Sequence, residues 1–186
     1  MRVNSLFYSL FFKINKNKEK EMIRWATLDD IEEMSKVHAT TWKSAYKGIL
    51  SQKFLQTLSD TYWVNGFRKG MEGQKRFFAV AVENHEIVGV IAFGKNRWDF
   101  VETVAEIYSL YILPSHQNKQ YGKKLIDFAI EVLTEKGYTK VMLNVVDKNT
   151  PARLFYEKMS FVNTQQIMTS EIAGARFNCL VYERFM

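Results

Sequence analysis

The stretch that most constrains this chain is residues 104–124, VAEIYSLYILPSHQNKQYGKK. Val104 to Leu113 is a run of aliphatic and aromatic residues that predicts a strand, and Pro114 stops it. Ser115 to Tyr121 is a polar turn, after which Gly122-Lys123-Lys124 opens a helix. A strand, a polar turn and a helix start leave unpaired N–H groups at the positive end of the helix dipole, where an anion is favoured. The two lysines add charge at that mouth. The pattern predicts a site for a phosphorylated cofactor.

Other totals set the bounds. At 186 residues, 47% apolar and 25% charged, the chain fits one soluble domain with a substantial core. Its lone cysteine, Cys179, allows no internal disulfide and points to a reducing compartment, so a cytoplasmic location is expected. Half of the +6 net charge comes from Arg2, Lys13, Lys16, Lys18 and Lys20 against Glu19 and Glu21. The remainder is ordinary, and no nucleic-acid partner is required by it. His38, His85 and His116 show no metal-ligand spacing, so no metal is expected. Neither G-x-x-x-x-G-K-[ST] nor G-x-G-x-x-G occurs.

Residues 1–21 read as a poorly ordered N-terminal extension. Their apolar run, Leu6 to Phe12, is far short of the roughly 20 residues that span a bilayer. It also lacks a small-residue cleavage site, so neither stable membrane insertion nor a signal peptide is expected. Residues 22–186 read as one domain. A strand near Met22–Ala26 is followed by a helix that Thr27 and Asp30 open in capping-box fashion, with Ile31, Met34, Val37, His38 and Trp42 at helical spacing. Ser51 caps a second helix carrying Phe54, Leu55 and Leu58, and a third runs near 62–71. A hairpin turns at Asn84-His85, and a polar loop with Trp98 leads to the strand at 104. A helix over 121–136 ends at Gly137, a strand covers 140–146, and Pro151 opens a short helix to Met159. Strands over 161–168 and 179–185 close the chain. The expected fold is an α/β sandwich: a mixed sheet of about seven strands flanked by about four helices.

Four pieces of text then combine. Leu110-Tyr111-Ile112-Leu113-Pro114 ends the central strand, and Gln117-Asn118-Lys119-Gln120-Tyr121-Gly122 follows it. Asn149 precedes Ala152-Arg153-Leu154-Phe155-Tyr156-Glu157-Lys158-Met159-Ser160-Phe161, and His38 to Gly48 reads HATTWKSAYKG. In this order and spacing they resemble the GNAT superfamily of acetyl-CoA-dependent N-acyltransferases, whose patterns are Q/R-x-x-G-x-G/A and N-x-x-A-x-x-x-Y-x-x-x-G-F. The resemblance covers roughly Ile23 to Phe185 and is strongest from Glu106 to Phe161. It implies a single-domain GNAT-type fold and transfer of an acetyl group from acetyl-CoA to a primary amine of a small molecule or peptide.

By that resemblance, backbone groups of Leu110, Tyr111 and Ile112 hold the pantetheine arm and the developing oxyanion. The turn Gln117, Asn118, Lys119, Gln120, Tyr121, Gly122 and Lys123 binds the pyrophosphate, with Asn149 and Arg153 as further cofactor contacts. Tyr156 is the implied proton donor to the departing thiolate, and Glu106 the implied base, acting through water. Trp42 and Tyr46, with Trp98, are candidates for the acceptor pocket. Relatives that acetylate an N-terminal alanine carry an acidic residue where this chain has Asn144. Gln120, Asn118 and Ser160 replace common glycines, which motivates an alternative: a non-catalytic acyl-CoA-binding sensor or scaffold of the same fold. Dimerisation through the last strands is common in the superfamily, so a homodimer is among the states the resemblance allows.

Overall fold

Phe78-Ala79-Val80-Ala81 and Val88 to Phe93 are continuous runs without a polar side chain, and both of their faces are buried. Strands that bury both faces form the middle of a sheet covered on two sides. The computed structural model describes residues 23–73, 76–97 and 102–186. The N-terminal extension and Trp98 lie outside these. The elements are β1 (Ile23–Trp25), α1 (Ile31–Ala45), α2 (Gln52–Thr57), α3 (Val64–Glu72), β2 (Arg76–Glu83), β3 (Glu86–Lys95), β4 (Val104–Ile112), α4 (Tyr121–Glu135), β5 (Lys140–Val146), α5 (Thr150–Lys158), β6 (Val162–Ile172) and β7 (Ala175–Phe185).

The seven strands form one sheet in the order β1-β2-β3-β4-β5-β7-β6. Every pairing is antiparallel except β4 with β5. On one face, α4 lays Leu125, Ile126, Ala129, Val132 and Leu133 onto Ala79, Ala81, Ile91, Phe93, Val141, Leu143 and Val145. On the other, α1 and α3 bring Ile31, Met34, Val37 and Phe67 onto Phe78, Val80, Val90 and Ala92.

Local signals are where the sequence placed them. The Thr27 N–H donates to Asp30 at 2.7 Å, and Arg24 grips the same carboxylate through both terminal nitrogens at 2.7 Å. The Phe54 N–H donates to the Ser51 hydroxyl at 3.2 Å. Asn84 and His85 turn the hairpin at φ 51° and 69°, the left-handed pair that a two-residue hairpin loop requires. Among the described residues there are five α-helices, one for each helical stretch read from the sequence, α2 being only six residues long. The closing strands are longer than expected, because residues 169–178 continue a ribbon that turns at Ala173-Gly174. One face of this ribbon is half-buried and the other exposed, and with only Ile172, Ala175 and Phe177 packed from that face the apolar alternation is too sparse to have marked it.

Two irregularities shape the centre. β4 and β5 pair only from Val104–Glu106 to Lys140–Met142 and then separate. The β3–β4 register also slips, Ala92 facing Ser109 and Phe93 facing Ile107, so Tyr108 is the extra residue of a bulge.

Candidate active site

Beyond Glu106, β4 has a partner strand on its β3 side only. The backbone groups of residues 107–112 on the other edge, Leu110, Tyr111 and Ile112 among them, therefore line the gap that opens toward β5. An extended polar chain placed there can pair with β4 as a strand would.

The turn at 113–120 follows this open edge. The Leu113 N–H donates to Val88 at 2.9 Å, and the Gln117 side-chain amide donates to the Ile112 carbonyl at 3.3 Å. Lys124 is the first residue of α4 whose N–H bonds back, to Gln120 at 3.0 Å. Among the described residues, nothing accepts a hydrogen bond from the backbone N–H groups of residues 118–123. Asn118 and Gln120 stand at φ 63° and 66°, which turns successive amides to one side as in an anion-binding nest. Gly122 lets α4 start against α5: a Cβ there would lie 3.0 Å from Cζ of Phe155. Lys123 is paired with Asp127 at 2.6 Å.

Glu83, the last residue of β2, organises this turn from the sheet side. It accepts from the Tyr121 hydroxyl at 2.6 Å, His116 Nε2 lies at 2.9 Å, and Lys119 Nζ at 3.2 Å. The Tyr121 hydroxyl and then Lys119 hold the Glu83 carboxyl below its ordinary value.

α5 supplies Tyr156. The Asn149 side chain caps this helix, accepting from the Ala152 N–H at 3.3 Å, with Pro151 in the first turn. Tyr156 packs edge-on against Phe155 and Phe161, and its hydroxyl makes no hydrogen bond among the described residues. Burial first, and Tyr46 second, push its phenol well above the ordinary value. Arg153, one turn earlier, is engaged by Asp147 at 3.2 Å and by the Tyr182 hydroxyl at 3.4 Å.

Opposite Tyr156 stands an aromatic wall. The Tyr46 and Tyr111 hydroxyls are 3.3 Å apart. Trp42 lies 4.7 Å from Tyr46 and 5.1 Å from Trp63, ring to ring, and His38 lies 4.3 Å from Tyr111. The Trp42 indole acts on the Tyr111 phenol but closes no bond of ordinary geometry. A neighbouring cleft of about 280 Å³ is lined by Ile49, Val146, Asp147, Lys148, Thr169, Arg176, Phe177 and Asn178. Phe177 packs on the same Leu50, Leu55 and Leu58 cluster as Trp42 and Tyr46, so wall and cleft adjoin.

Glu106 is fully buried. Its carboxylate receives Nη2 of Arg97 at 2.5 Å, Nε at 3.0 Å and the Arg97 backbone N–H at 3.1 Å. Asn144 lies two residues past the last β4-paired residue of β5, and its Oδ1 is buried without a partner among the described residues. The structure thus gathers the turn, the open edge of β4, Tyr156, Tyr46 and Trp42 around one gap. It places Glu106 at the closed end of that gap, in Arg97's grip. Neither Glu83 nor Arg97 was legible beforehand: each meets its partner through strand pairing, with no local spacing to mark it.

Residues 32–161 match the family described as acetyltransferase (GNAT). The chain belongs to that family. It is accordingly an acyltransferase, and its mixed seven-stranded sheet is the GNAT fold. It is similar to an uncharacterised N-acetyltransferase of Bacillus subtilis, 27% identical over 158 residues, which cover 83% of this chain and 87% of that one. It is 25% identical over 144 residues to spermidine N(1)-acetyltransferase of Thermoplasma acidophilum, covering 75% and 86%. It is 30% identical over 124 residues to the ribosomal protein bS18-alanine N-acetyltransferase of Haemophilus influenzae, covering 64% and 79%. Among solved structures, the PaiA N-acetyltransferase of Thermoplasma acidophilum, in complex with coenzyme A, superposes with a TM-score of 0.66 at 22% identity, covering 88% of this chain and 98% of that one. An acetyltransferase of Salmonella typhimurium, with its cofactor acetyl-CoA, gives 0.67 at 18% identity, covering 88% and 92%.

Proposed function

We propose that this GNAT domain, residues 22–186, transfers an acetyl group from acetyl-CoA directly to a primary amine of a small molecule or peptide. The observation that carries this is the Tyr156 hydroxyl: on a half-buried side chain, protonated and without a hydrogen-bond partner among the described residues, beside the gap between β4 and β5. The residues present fit the cofactor. The N–H groups of residues 118–123, with Lys119, offer donors to a pyrophosphate, and the open edge of β4 at Leu110, Tyr111 and Ile112 suits an amide-bearing arm. When bound, the cofactor supplies a thioester whose acyl carbon accepts the amine as the C–S bond breaks.

The chain's own groups do the rest. Tyr156 gives its proton to the leaving sulfur, and its raised pKa keeps that proton available throughout the neutral range. A β4 N–H stabilises the developing oxygen charge. Glu106, both of whose oxygens accept from Arg97, takes the amine proton through water as that grip loosens. Trp42 and Tyr46 wall the acceptor, Asn149 sets the start of α5, and Arg153 stiffens the approach to it.

The cleft favours an amine flanked by neutral or anionic groups. Lys148 would oppose the further ammonium groups of a polyamine, since the cleft's carboxylate, Asp147, is held by Arg153, while Arg176 is itself paired with Glu171 at 3.0 Å. The test is turnover of acetyl-CoA on a panel of spermidine, amino acids and short peptides, with Tyr156→Phe beside wild type. The expected result is activity on the amino acid or peptide amines, with kcat reduced roughly 100-fold in the variant. Binding of CoA without turnover on any amine would favour the sensor reading instead. No helix among the described residues is long and apolar enough to cross a membrane, and action in the cytoplasm belongs to the same proposal.

A further inference from the structure

We propose that Glu83 is the positioning residue of the cofactor turn, fixing residues 114–121 so that the free N–H groups of 118–123 are presented before any anion arrives. This rests on the reading of that turn as the cofactor site. Glu83 lies outside every stretch the family resemblance singled out, on the strand before the hairpin.

Its three partners come from successive parts of the turn. His116 closes the short helical turn after Pro114, Lys119 stands between the two left-handed residues, and Tyr121 is the first residue of α4. All three converge on one carboxylate, at 2.9, 3.2 and 2.6 Å. Tyr121 is itself only 4% exposed, packed in the core beneath α4, so the carboxylate is tied to a rigid body. The turn's remaining ties to the sheet are at its entrance, from Leu113 to Val88 and from Gln117 to Ile112. Without Glu83, the segment from Asn118 to Gln120 would keep no tie to the sheet among the described residues. Both left-handed residues lie in that segment, and neither is a glycine. A loop held in its bound form beforehand binds more tightly, because the ordering cost is already met.

A carboxylate beside an anion site also has an opposite effect, since it repels phosphate. Here Lys119 offsets that charge while keeping ammonium hydrogens for a ligand, because an ammonium has three donors. The two effects differ in sign, which makes the proposal decidable.

The experiment compares wild type, Glu83→Ala and Glu83→Gln as full chains, with melting temperatures recorded for each. Calorimetry gives the Kd for CoA, and competition gives that for pantetheine, which lacks the pyrophosphate. Steady-state kinetics separate KM from kcat. In Glu83→Ala the Kd for CoA and the KM for acetyl-CoA should rise about tenfold, the loss for one charge-assisted anchor. Pantetheine binding, the KM for the amine and kcat at saturation should hold. Glu83→Gln keeps an acceptor for the Tyr121 hydroxyl and should recover part of the loss. Tighter CoA binding in either variant, unchanged CoA binding, or an equal loss for CoA and pantetheine would overturn the proposal. If wild type itself bound no CoA, the reading of the turn as a cofactor site would fail, and this proposal with it.

Discussion

A left-handed backbone sets a Cβ against the following carbonyl, at about 1–2 kcal/mol for most residues and less for Asn. This chain accepts that strain at Gln120, Asn118 and Ser160, at φ 66°, 63° and 64°. All three are positions where the resemblance led one to expect glycine. The substitutions have left the backbone in the glycine conformation, so the shape of the turn survives a change that looked disruptive in the sequence. Strain remains, and it can be removed. Gln120→Gly should stabilise the protein by about 1 kcal/mol, less than the full strain because glycine has more chain entropy to lose on folding. Urea midpoints would measure this, and CoA affinity should not weaken. A loss of stability would show that the Gln120 side chain makes contacts worth more than the strain. Asn118→Gly should change little, since Asn tolerates the left-handed region.

Between elements, the important contact is the first turn of α4 against α5. Gly122 brings the cofactor turn within touching distance of Phe155, the residue beside Tyr156. In Gly122→Ala the new Cβ would press on a ring at 3.0 Å, shifting both the N–H groups of the turn and the helix that carries the phenol. The expected outcome is a several-fold rise in KM for acetyl-CoA together with a fall in kcat. Gly66→Ala on α3, where a Cβ meets nothing within 4 Å, is the control. It should leave both constants alone and stabilise the protein by about 1 kcal/mol through helix propensity. The elements that carry these residues were legible because their signals are local. Pro151 and Asn149 opened α5, Gly137 closed α4, and Asn84-His85 turned the hairpin. The ribbon of β6 and β7 beyond Met168 was not, because only one of its faces is half-buried and few residues there, Ile172, Ala175 and Phe177, are apolar.

For the whole molecule, a sheet with helices on both faces was legible from the alternation of strands and helices, but the parting of β4 and β5 after Glu106 was not. That parting depends on which residues pair across 36 positions of chain, and the grip of Glu83 on Tyr121 spans 38; Arg97 meets Glu106 across nine, around a loop with no local signal for the pair. The same holds for His38, read from the sequence as one more buried position of α1. It sits against Trp42, Trp63, Phe67 and Tyr111, with Nδ1 buried and unpartnered among the described residues. Burial drives its pKa from 6.5 down to about 3. Between those two values the unfolded chain binds a proton that the folded chain refuses, so the stability this ring permits is complete above pH 6.5 and is lost as pH falls toward 3. The slope from this one group should approach about 1.4 kcal/mol per pH unit within the window. Asp30, whose carboxyl the Arg24 pair and Thr27 hold low against its burial, adds acid sensitivity of its own, so a variant is needed to isolate the ring. His38→Phe keeps an aromatic ring in the same packing and cannot take a proton. Urea unfolding of both proteins from pH 7 to 4 should give curves that diverge below pH 6.5, wild type losing stability faster. Parallel curves would mean that His38 takes its proton without unfolding, and that the aromatic wall opens to water in the native protein.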